Sequence, residues 1–250
     1  MDKNEPFNEK VFKEKSLEKA TEKTMGKYNR FSYIYDLFES PMENSVFKKW
    51  RADLINPLRG NILEVGVGTG KNLSYYNKEA KITGIDLSPG MLSKAKERLE
   101  QLNNKESQSQ QTPVFFKPQI GKQLDIKSNL SNKNIRLMEM DAQNLKFKDN
   151  SFDYIICTFV LCSVPDPVKT LKEMKRVVKP NGKILMIEHM LSKNKLIAFY
   201  EHIHNPITRF LFGFNVNRKT DENVEKAGLK IRKMQNMALF DVFRKIEAEK

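Results

Sequence analysis

The sequence predicts an α/β fold built on a doubly wound, parallel β-sheet. Short apolar segments of strand length alternate with longer segments in which apolar residues recur at the helical period. Capping residues mark the starts of two of these helices, Ser88 before Pro89 and Asp166 before Pro167. Because parallel strands are joined by crossover helices, this repeated order favours a sheet with helices on both of its faces.

The first predicted strand, residues 62–65, runs directly into a turn with glycine at every second position, Gly66, Gly68 and Gly70. A corner without side chains lets the backbone approach a ligand closely. Helical sequence is expected at residues 71–77, where the unpaired N–H groups of a helix start would suit an anionic group such as a carboxylate. The turn is therefore a candidate ligand site, and a tight strand–helix turn without a ligand is the plainer alternative.

A second strand, residues 81–86, ends in a carboxylate twenty positions after Gly66. In doubly wound folds, an acid at this distance lies at the tip of the neighbouring strand and accepts hydrogen bonds from ribose hydroxyls. Asp86 is therefore predicted to bind a ribose, against the alternative of an acid at the start of the following helix. The apolar residues of that helix fall on one face: Met91, Leu92, Ala95 and Leu99.

The remaining predicted elements continue the alternation. In chain order they are strand 135–140, strand 152–158, a helix from Asp166 that ends at 180–182, strand 183–188, helix 220–227, and strands 229–237 and 239–247. The strand at 152–158 is apolar enough for burial on both faces. The last two strands are expected to pair in antiparallel orientation. The strand at 135–140 leads directly into Asp141, a second acid at a strand tip.

The spacing of the glycines narrows the choice of ligand. A dinucleotide fingerprint needs a glycine where Lys71 stands, and a nucleotide P-loop would need glycine at Val65 and Ser or Thr at Asn72. The segment Glu64–Gly70 instead resembles motif I of the class I S-adenosylmethionine (SAM) methyltransferases. Two further stretches resemble the same family: Tyr-x-x-x-Ala-x-x-Tyr-Asp at 28–36, without the alanine, and Met-Asp-Ala-x-x-Leu-x-Phe at 140–147.

This resemblance covers about residues 28–248. It implies a Rossmann-like, seven-stranded sheet that is mostly parallel and ends in an antiparallel hairpin, with SAM as the cofactor. Asp141 could accept a hydrogen bond from the adenine amino group and Ala142 N–H could donate to the ring, whereas an ordinary loop acid is the alternative for Asp141. The residues expected to contact the cofactor are Tyr28, Tyr35, Glu64, Gly66, Gly68, Gly70, Asp86, Leu87, Met91, Asp141, Ala142 and Thr158.

One domain with an N-terminal arm is expected. The expected segments are an arm at 1–27, rich in Lys and Glu, a methyltransferase domain at 28–250, and within it lid helices at 28–57, a flexible insert at 102–133 and an acceptor-side segment at 190–218. The aromatic residues of the lid must bury a face, so a covering helix without ligand contact is the alternative to a lid. Gln, Asn, Ser and Lys dominate the insert, which favours a flexible surface excursion.

The acceptor-side segment combines aromatic and aliphatic residues with cations, among them Phe199, Lys195 and Arg209. That combination suits an anionic membrane interface, and the alternative is a helix that closes the pocket and buries its apolar side in the domain. The residues expected to serve the methyl acceptor are Tyr35, Cys162, His189 and His202. His202 and His204, without a third ligand in register, do not predict a metal site.

Within the family, the sequence is similar to bacterial phospholipid N-methyltransferases, to the quinone C-methyltransferases of ubiquinone and menaquinone synthesis, and to animal membrane-associated thiol methyltransferases. The likeness rests on motif I and on Thr-Phe-Val-x-Cys-Ser-Val-Pro-Asp at 158–166. The quinone enzymes usually carry Gly-x-Arg-Asn where Leu161–Val164 stands here, which puts a quinone acceptor in doubt. The resemblance implies methyl transfer to a small hydrophobic or lipid-like acceptor of the phospholipid-amine or quinone-precursor type.

Charge and composition limit the classes of partner that can be expected. A net charge of +13 leaves an anionic membrane, a nucleic acid and an acidic substrate open. Nucleic-acid methylation is the weaker alternative, because the lysines are spread along the chain and an Asn/Asp-Pro-Pro-Tyr type motif is absent. A non-catalytic SAM-binding protein is a further alternative. The intact glycines and acids of the motifs argue against it.

The sequence also carries expectations about location. The two cysteines, Cys157 and Cys162, lie in one apolar run, which argues against a disulfide framework. No apolar run reaches the ~18–20 residues of a spanning helix, and the N-terminus lacks the apolar core of a signal peptide. The expected location is intracellular, either cytoplasmic or peripheral on a membrane, which could be an organelle membrane.

Overall fold

A computed structural model of the chain describes residues 15–30, 46–110 and 134–250. The strands of these residues are β1 (Gly60–Val65), β2 (Ala80–Asp86), β3 (Ile135–Glu139), β4 (Phe152–Thr158), β5 (Val178–His189), β6 (Lys230–Ala238) and β7 (Phe243–Glu249). They form one seven-stranded sheet in the order β3-β2-β1-β4-β5-β7-β6. β1 to β5 are parallel, whereas β7 is antiparallel to both β5 and β6. The predicted α/β fold with a C-terminal antiparallel pair is confirmed.

Helices pack on both faces of this sheet. They are α1 (15–30), α2 (Lys48–Ile55), α3 (Pro89–Gln110), α4 (Pro167–Val177), α5 (Lys195–Leu211) and α6 (Thr220–Lys226). Leu63 and Val65 of β1 belong to an apolar cluster that contains Leu171 of α4, whereas Ile62 belongs to another that contains Leu54 of α2. Alternate residues of one strand thus face opposite layers, as a doubly wound sheet requires.

The central strand β1 sets the position of the candidate site. Val65 at its end is aligned with Ile85 near the end of β2 and with Cys157 near the end of β4. Three carboxyl ends therefore meet at one edge of the sheet, between β1 and β4, where the strand order reverses. Ligands of open α/β sheets bind outside this kind of edge.

The predicted helix at residues 71–77 is wrong. Only Leu73–Tyr75 form a single 3₁₀ turn. The backbone closes short turns instead, in which Leu73 N donates to Gly70 O at 3.1 Å and Tyr75 N donates to Asn72 O at 3.0 Å. The glycine turn is therefore not followed by a helix start that could bind a carboxylate.

Two strand boundaries also differ from expectation. β5 begins at Val178, before the predicted 183, and its register against β4 shifts between Phe152 and Tyr154. The shift accommodates residues 179–182 along the strand. β7 begins at Phe243 rather than at 239, because residues 239–242 form the turn of the hairpin and Val242 N donates to Leu239 O at 3.1 Å.

Two predicted segment boundaries fall inside helices. α1 spans the boundary placed between residues 27 and 28, and α3 continues to Gln110, inside the insert predicted at 102–133. α1 contacts the start of α3 through Asn29, whose Oδ1 accepts hydrogen bonds from Ser88 Oγ at 2.5 Å and Gly90 N at 3.1 Å. Residues 31–45 of the predicted lid, including Tyr35, and residues 111–133 of the insert lie outside the described residues.

The helix α5 is amphipathic, but its apolar side faces outward. The exposed apolar residues of α5 are Leu196, Phe199, Tyr200, Ile203, Ile207, Phe210 and Leu211. Leu196 is 81% exposed, whereas the polar Glu201 on the opposite side is 5% exposed. The alternative in which this helix buries its apolar side in the domain is therefore wrong. Within the described ranges, the helices are too short or too polar to cross a membrane.

Candidate functional site

A cavity opens at the edge of the sheet where the carboxyl ends of β1, β2 and β4 meet. Its volume, including the open mouth, is about 960 Å³. The predicted cofactor residues that line it are Tyr28, Glu64, Gly66, Gly68, Asp86, Leu87, Met91, Asp141, Ala142 and Thr158. Gly70 is not among the lining residues, and Tyr35 lies outside the described residues. The structure thus brings together residues from five separate stretches of sequence.

The three glycines of the turn all have positive φ angles, 69° at Gly66, 55° at Gly68 and 80° at Gly70. A Cβ atom on Gly66 would lie 2.4 Å from Val160 Cγ2, and one on Gly70 would lie 3.1 Å from Ala95 Cα. A Cβ atom on Gly68 would have no neighbour within 4 Å. Gly66 and Gly70 therefore permit close packing around the turn, whereas Gly68 leaves room at the cavity wall.

The carboxylate of Asp86 is held by the glycine turn. Gly68 N donates to Oδ2 at 2.9 Å, and Ser88 N donates to Oδ1 at 2.9 Å. Burial raises the pKa of Asp86 above its usual value, and these backbone donors counteract part of that rise. The side-chain-free corner and the acid of β2 are therefore directly hydrogen-bonded at one wall of the cavity.

A buried polar network forms another wall, around Glu64. Asn72 Nδ2 donates to Glu64 Oε1 at 2.8 Å, and Tyr76 OH donates to Oε2 at 2.8 Å. Burial raises the pKa of Glu64 to about 7, although these hydrogen bonds and the charge of Arg51 favour the ionised form. Arg51 NH1 donates to Asn72 Oδ1 at 2.8 Å and to Thr158 Oγ1 at 3.0 Å, which connects α2 and β4 to the network.

Sequence reasoning missed several polar residues that line the cavity, among them Arg51, Asn72 and Gln143. The buried amide of Gln143 connects three parts of the fold, because Nε2 donates to Thr21 Oγ1 of α1 at 3.1 Å and Oε1 accepts from Asp166 N at 3.1 Å. For Gln143, the adjacent Asp-Ala pair of the motif was the available signal. Nothing in the sequence near Arg51 indicates its contact with Thr158.

The loop after β4 completes the cavity with a sharp bend. Phe159 has a φ of 58°, which is unusual for a residue with a side chain, and its N–H donates to Ile187 O at 2.9 Å. Glu188 Oε1 accepts the N–H of Val160 at 3.1 Å and of Leu161 at 3.3 Å. Burial raises the pKa of Glu188 to about 7. A strained residue supported in this way is characteristic of functional sites.

Cys162 and His189, expected on the acceptor side, do not line the cavity. Cys162 is 6% exposed, and its Sγ lies 3.5 Å from Phe159 O. His189 packs edge-on against Phe243, with Nε2 3.7 Å from Glu201 Oε1. Burial lowers the pKa of His189 to about 4, so its ring is neutral at neutral pH. These positions do not support direct contact of either side chain with an acceptor in the cavity.

His202 also lies away from the cavity, on the exposed surface of α5. Its Nδ1 lies 3.1 Å from Asn217 Nδ2. Among residues 15–30, 46–110 and 134–250, no three or more His, Cys, Asp or Glu side chains are grouped to hold a metal ion. Next to Thr158, the cavity is instead lined by Ser163, Val164 and Pro165, which directly follow Cys162 in the sequence.

Known proteins are similar to this chain in sequence. Residues 63–186 match the Methyltransf_11 family, described as a methyltransferase domain. The chain is 32% identical to a phosphatidylethanolamine N-methyltransferase of Cereibacter sphaeroides, over 70% of this chain and 71% of that protein. It is also 32% identical to the ubiquinone/menaquinone biosynthesis C-methyltransferase UbiE of Rickettsia prowazekii, over 70% of this chain and 64% of that protein, which is less than two thirds of the relative's length.

A solved structure shows the same fold. The structure of a SAM-dependent methyltransferase from Methanosarcina mazei has a TM-score of 0.51 and 21% identity, covering 76% of this chain and 92% of that one. The residues matched by the family, 63–186, include the glycine turn, Asp86, Asp141 and Thr158. SAM is therefore the cofactor, and the chain belongs to the type 11 family of class I SAM-dependent methyltransferases.

Proposed function

We propose that this methyltransferase transfers the methyl group of SAM to a lipid-like acceptor, of the phospholipid-amine or quinone-precursor type, at an anionic membrane surface. The observation that carries the proposal is the outward-facing apolar side of α5. Cations lie at both ends of this helix, Lys195 and Arg209. The segment after α5 is bonded to the loop that lines the cofactor cavity, since Arg218 NH2 donates to Val164 O at 2.9 Å.

The residues of the cavity fit SAM. Asp86 offers an enclosed carboxylate that suits hydrogen bonds from ribose hydroxyls, and the space beside Gly68 would be filled by any side chain there. Asp141 and the N–H of Ala142 are assigned to the adenine. Asp141 is held for this role by Gln143 N, which donates to Oδ1 at 2.8 Å. The acids of the wall, together with Glu64, suit a cofactor that carries a sulfonium and an ammonium group.

When bound, SAM supplies a methyl group that is attached to a sulfonium sulfur. An acceptor takes this methyl group by in-line displacement. The residues of the chain orient the acceptor and exclude water from it. Ser163, Val164 and Pro165 line both the cofactor cavity and the space next to it. We assign them to the boundary that an acceptor crosses to reach the methyl group.

The two curated relatives support a lipid-like acceptor. Their names designate the N-methylation of phosphatidylethanolamine and the C-methylation of ubiquinone/menaquinone biosynthesis. Between these two, the phospholipid amine is favoured, because Leu161–Val164 stands where quinone enzymes usually carry Gly-x-Arg-Asn.

The turn between β6 and β7 extends the apolar surface of α5. Leu239 and Phe240 in this turn are 59% and 80% exposed. Asp241 accepts a hydrogen bond from Ser192 Oγ and another from Lys193 N at 2.7 Å, which holds the turn beside the start of α5. Apolar side chains bordered by lysines suit insertion into the headgroup region of an anionic membrane.

Transfer of label from methyl-labelled SAM tests the acceptor. The full chain is incubated separately with phosphatidylethanolamine vesicles, a demethylated quinone, a hydrophobic thiol and RNA. We expect label in the phosphatidylethanolamine, none with Asp86→Ala, and normal transfer with Asp53→Ala, which removes an exposed acid of α2. Label only in the thiol or the RNA would contradict the lipid assignment, and no demethylated cofactor with any acceptor would favour a non-catalytic SAM-binding protein.

Vesicle flotation tests the membrane surface separately. We expect the wild-type chain to float with vesicles that contain phosphatidylglycerol and the variant Leu196→Glu/Phe199→Glu to remain in the dense fraction. Met234→Glu is the matched control, because Met234 is an exposed apolar residue of β6 outside α5 and the turn. Equal flotation of the α5 variant and the wild type would refute docking through this face.

A further inference from the structure

A second chamber adjoins the cofactor cavity. It lies between α1, the C-terminal half of α5 and the segment 213–218, and its volume including the open mouth is about 1780 Å³. Thr24, Ser163, Val164 and Pro165 line both the chamber and the cofactor cavity. The two spaces therefore share a wall, so a molecule in the chamber lies next to the cofactor site.

The charged residues that line this chamber are all cations: Lys23 and Lys27 of α1, Arg209 of α5, and Arg218. None of the described residues that line it is an aspartate or a glutamate. Within the described part of the chain, none of these four cations forms an ion pair with a carboxylate. Four cations from three segments of the chain thus converge on one space without compensating anions in its walls.

The individual contacts show that these cations are close to one another. Lys27 Nζ donates to Arg209 O at 2.6 Å and to Phe210 O at 2.9 Å, which ties α1 to the end of α5. The pKa of Lys27 lies below its usual value because of burial and the nearby charges of Lys23 and Arg209. An anion between these groups would offset their mutual repulsion.

Arg218 lines the chamber. Its NH2 group donates to Val164 O, whereas its buried Nε has no hydrogen-bond partner among the residues that the structure describes. Burial lowers the pKa of Arg218, Arg209 adds to this effect, and Asp166 and Cys162 act in the opposite direction. A buried guanidinium N–H without a partner is costly, and an anionic oxygen is the acceptor that would satisfy it best.

We propose that this chamber binds a phosphate group of the methyl acceptor through Lys23, Lys27, Arg209 and Arg218. The inference rests on the proposed function and makes it more specific, because a quinone precursor carries no such group. The apolar side of the chamber supports a phosphate on an amphiphile, since Leu17, Pro206 and Phe210 also line it. Phe210 continues into the exposed apolar face of α5, along which acyl chains can lie.

Calorimetric titration with two phosphate compounds tests the proposal. The probes are monomeric dihexanoyl phosphatidylethanolamine and inorganic phosphate, each added to the SAM-saturated chain. The test variant is Lys23→Gln/Arg209→Gln. The control variant is Lys15→Gln/Lys19→Gln, which removes the same charge from two exposed positions of α1 outside the chamber.

We expect the test variant to bind the short-chain phospholipid about tenfold or more weakly than the wild type, as the loss of charge-assisted hydrogen bonds predicts. The control variant should bind it as the wild type does. Binding of inorganic phosphate alone, with the same loss in the test variant, would identify a soluble phosphate ester as the source and still support the chamber. Equal binding by both double variants, or no binding of either compound by the wild type, would overturn the proposal.

The same titrations separate this inference from the function on which it rests. Affinity for SAM is measured first in the wild type and in both double variants, and we expect equal values, because none of the four substituted residues lines the cofactor cavity. Failure of the wild type to bind SAM would contradict the proposed function. Normal SAM binding with no effect of Lys23→Gln/Arg209→Gln on the phosphate compounds would contradict the chamber alone.

Discussion

Glu64 shows how burial and hydrogen bonding compete at a single carboxyl group. Its side chain is 1% exposed, and two hydrogen bonds from Asn72 and Tyr76 favour the ionised form. Burial is the larger effect and raises the pKa to about 7. The acid at the start of the glycine motif therefore titrates at a higher pH in the folded chain than in the unfolded chain, and its protonation is coupled to folding.

Replacement of Glu64 by Gln should remove a pH dependence of stability. Between pH 4.5 and 7, the folded chain keeps a proton on Glu64 that the unfolded chain has released. The free energy of unfolding contributed by this group therefore falls as the pH rises through that window, by up to about 3 kcal/mol. Urea unfolding at stepwise pH should show the wild type losing this stability relative to Glu64→Gln.

Glu173→Gln provides a control with the opposite sign. Hydrogen bonds from Arg176 lower the pKa of Glu173, so its contribution to stability is present above the unfolded pKa and lost as the pH falls through the folded one. The difference between wild type and Glu173→Gln should therefore grow as the pH rises. Parallel pH profiles for wild type and Glu64→Gln would contradict the account of the buried carboxyl group.

Single residues were predictable where their role depends on neighbours in sequence. Gly68 and Asp86 belong to a strand–turn–strand unit whose spacing is visible in the chain, and the structure places Gly68 N 2.9 Å from the Asp86 carboxylate. Arg51 was not predictable, because its partner Thr158 is more than a hundred residues away. Cys162 was expected at the acceptor, but it does not line the cavity, whereas Ser163, Val164 and Pro165 directly after it do. The sharp bend at Phe159 sets the course of this loop.

At the scale of elements, the hairpin between β6 and β7 combines strain with exposed apolar surface. Leu239 and Phe240 have φ angles of 48° and 61°, in the left-handed region that residues with side chains rarely adopt. Such a conformation costs roughly 1–2 kcal/mol for each residue. Both side chains are exposed, so packing within the chain does not offset this cost. Their exposure agrees with a contact between this turn and another molecule or a membrane.

The variant Leu239→Asn/Phe240→Gly should therefore be more stable than the wild type and bind membranes less well. Asparagine and glycine tolerate positive φ, so we expect a gain of about 1 kcal/mol or more in the free energy of unfolding. Flotation with phosphatidylglycerol vesicles should decrease in the same variant. Asn150→Gly, at a φ of 55° in another turn, is the control and should leave flotation unchanged. A gain in stability with full flotation would exclude the turn from the docking surface.

The sequence predicted the apolar and basic character of the segment at 190–218, but it left open whether its apolar side faces a membrane or the domain. The spacing of its apolar residues reveals a stripe, whereas it contains no information about which neighbour, if any, covers that stripe. The buried Glu201, whose Oε2 accepts Ser192 N at 2.8 Å, holds the polar side inward. The helix predicted at residues 71–77 does not form, because the backbone there closes short turns. The side chains of Asn72 and Tyr76 donate to the buried Glu64.

At the scale of the whole molecule, charge is unevenly divided between two adjoining spaces. Acids such as Glu64, Asp86 and Asp141 line the cofactor cavity, although Arg51 and Lys71 are also present. The second chamber is lined by cations, in a chain whose net charge is +13. The sheet order, with β1 and β4 at its centre, brings these spaces together. The alternation of strands and helices was sufficient to predict a doubly wound, parallel sheet, but not the order of its strands.

Association with membranes should therefore have a charge-dependent and a charge-independent part. We expect binding to phosphatidylglycerol vesicles to weaken as salt rises from 0.1 M to 1 M, because the screening length falls from about 10 Å to about 3 Å. Weaker binding to neutral vesicles should be insensitive to salt, since it depends on the apolar face of α5. Sedimentation with each vesicle type across the salt series measures both parts. Salt-independent binding to the anionic vesicles would contradict the role of the cations.

Calorimetric titration of the chain with SAM tests the central claim most directly, namely that the glycine turn and the acid of β2 form the cofactor site. The wild type should bind one SAM per chain, and the controls Gly26→Ala and Asp53→Ala, at exposed helix positions, should bind it equally well. Gly68→Val and Asp86→Ala should each lose about tenfold to a hundredfold in affinity or more. Wild-type affinity in both of these variants would contradict the account.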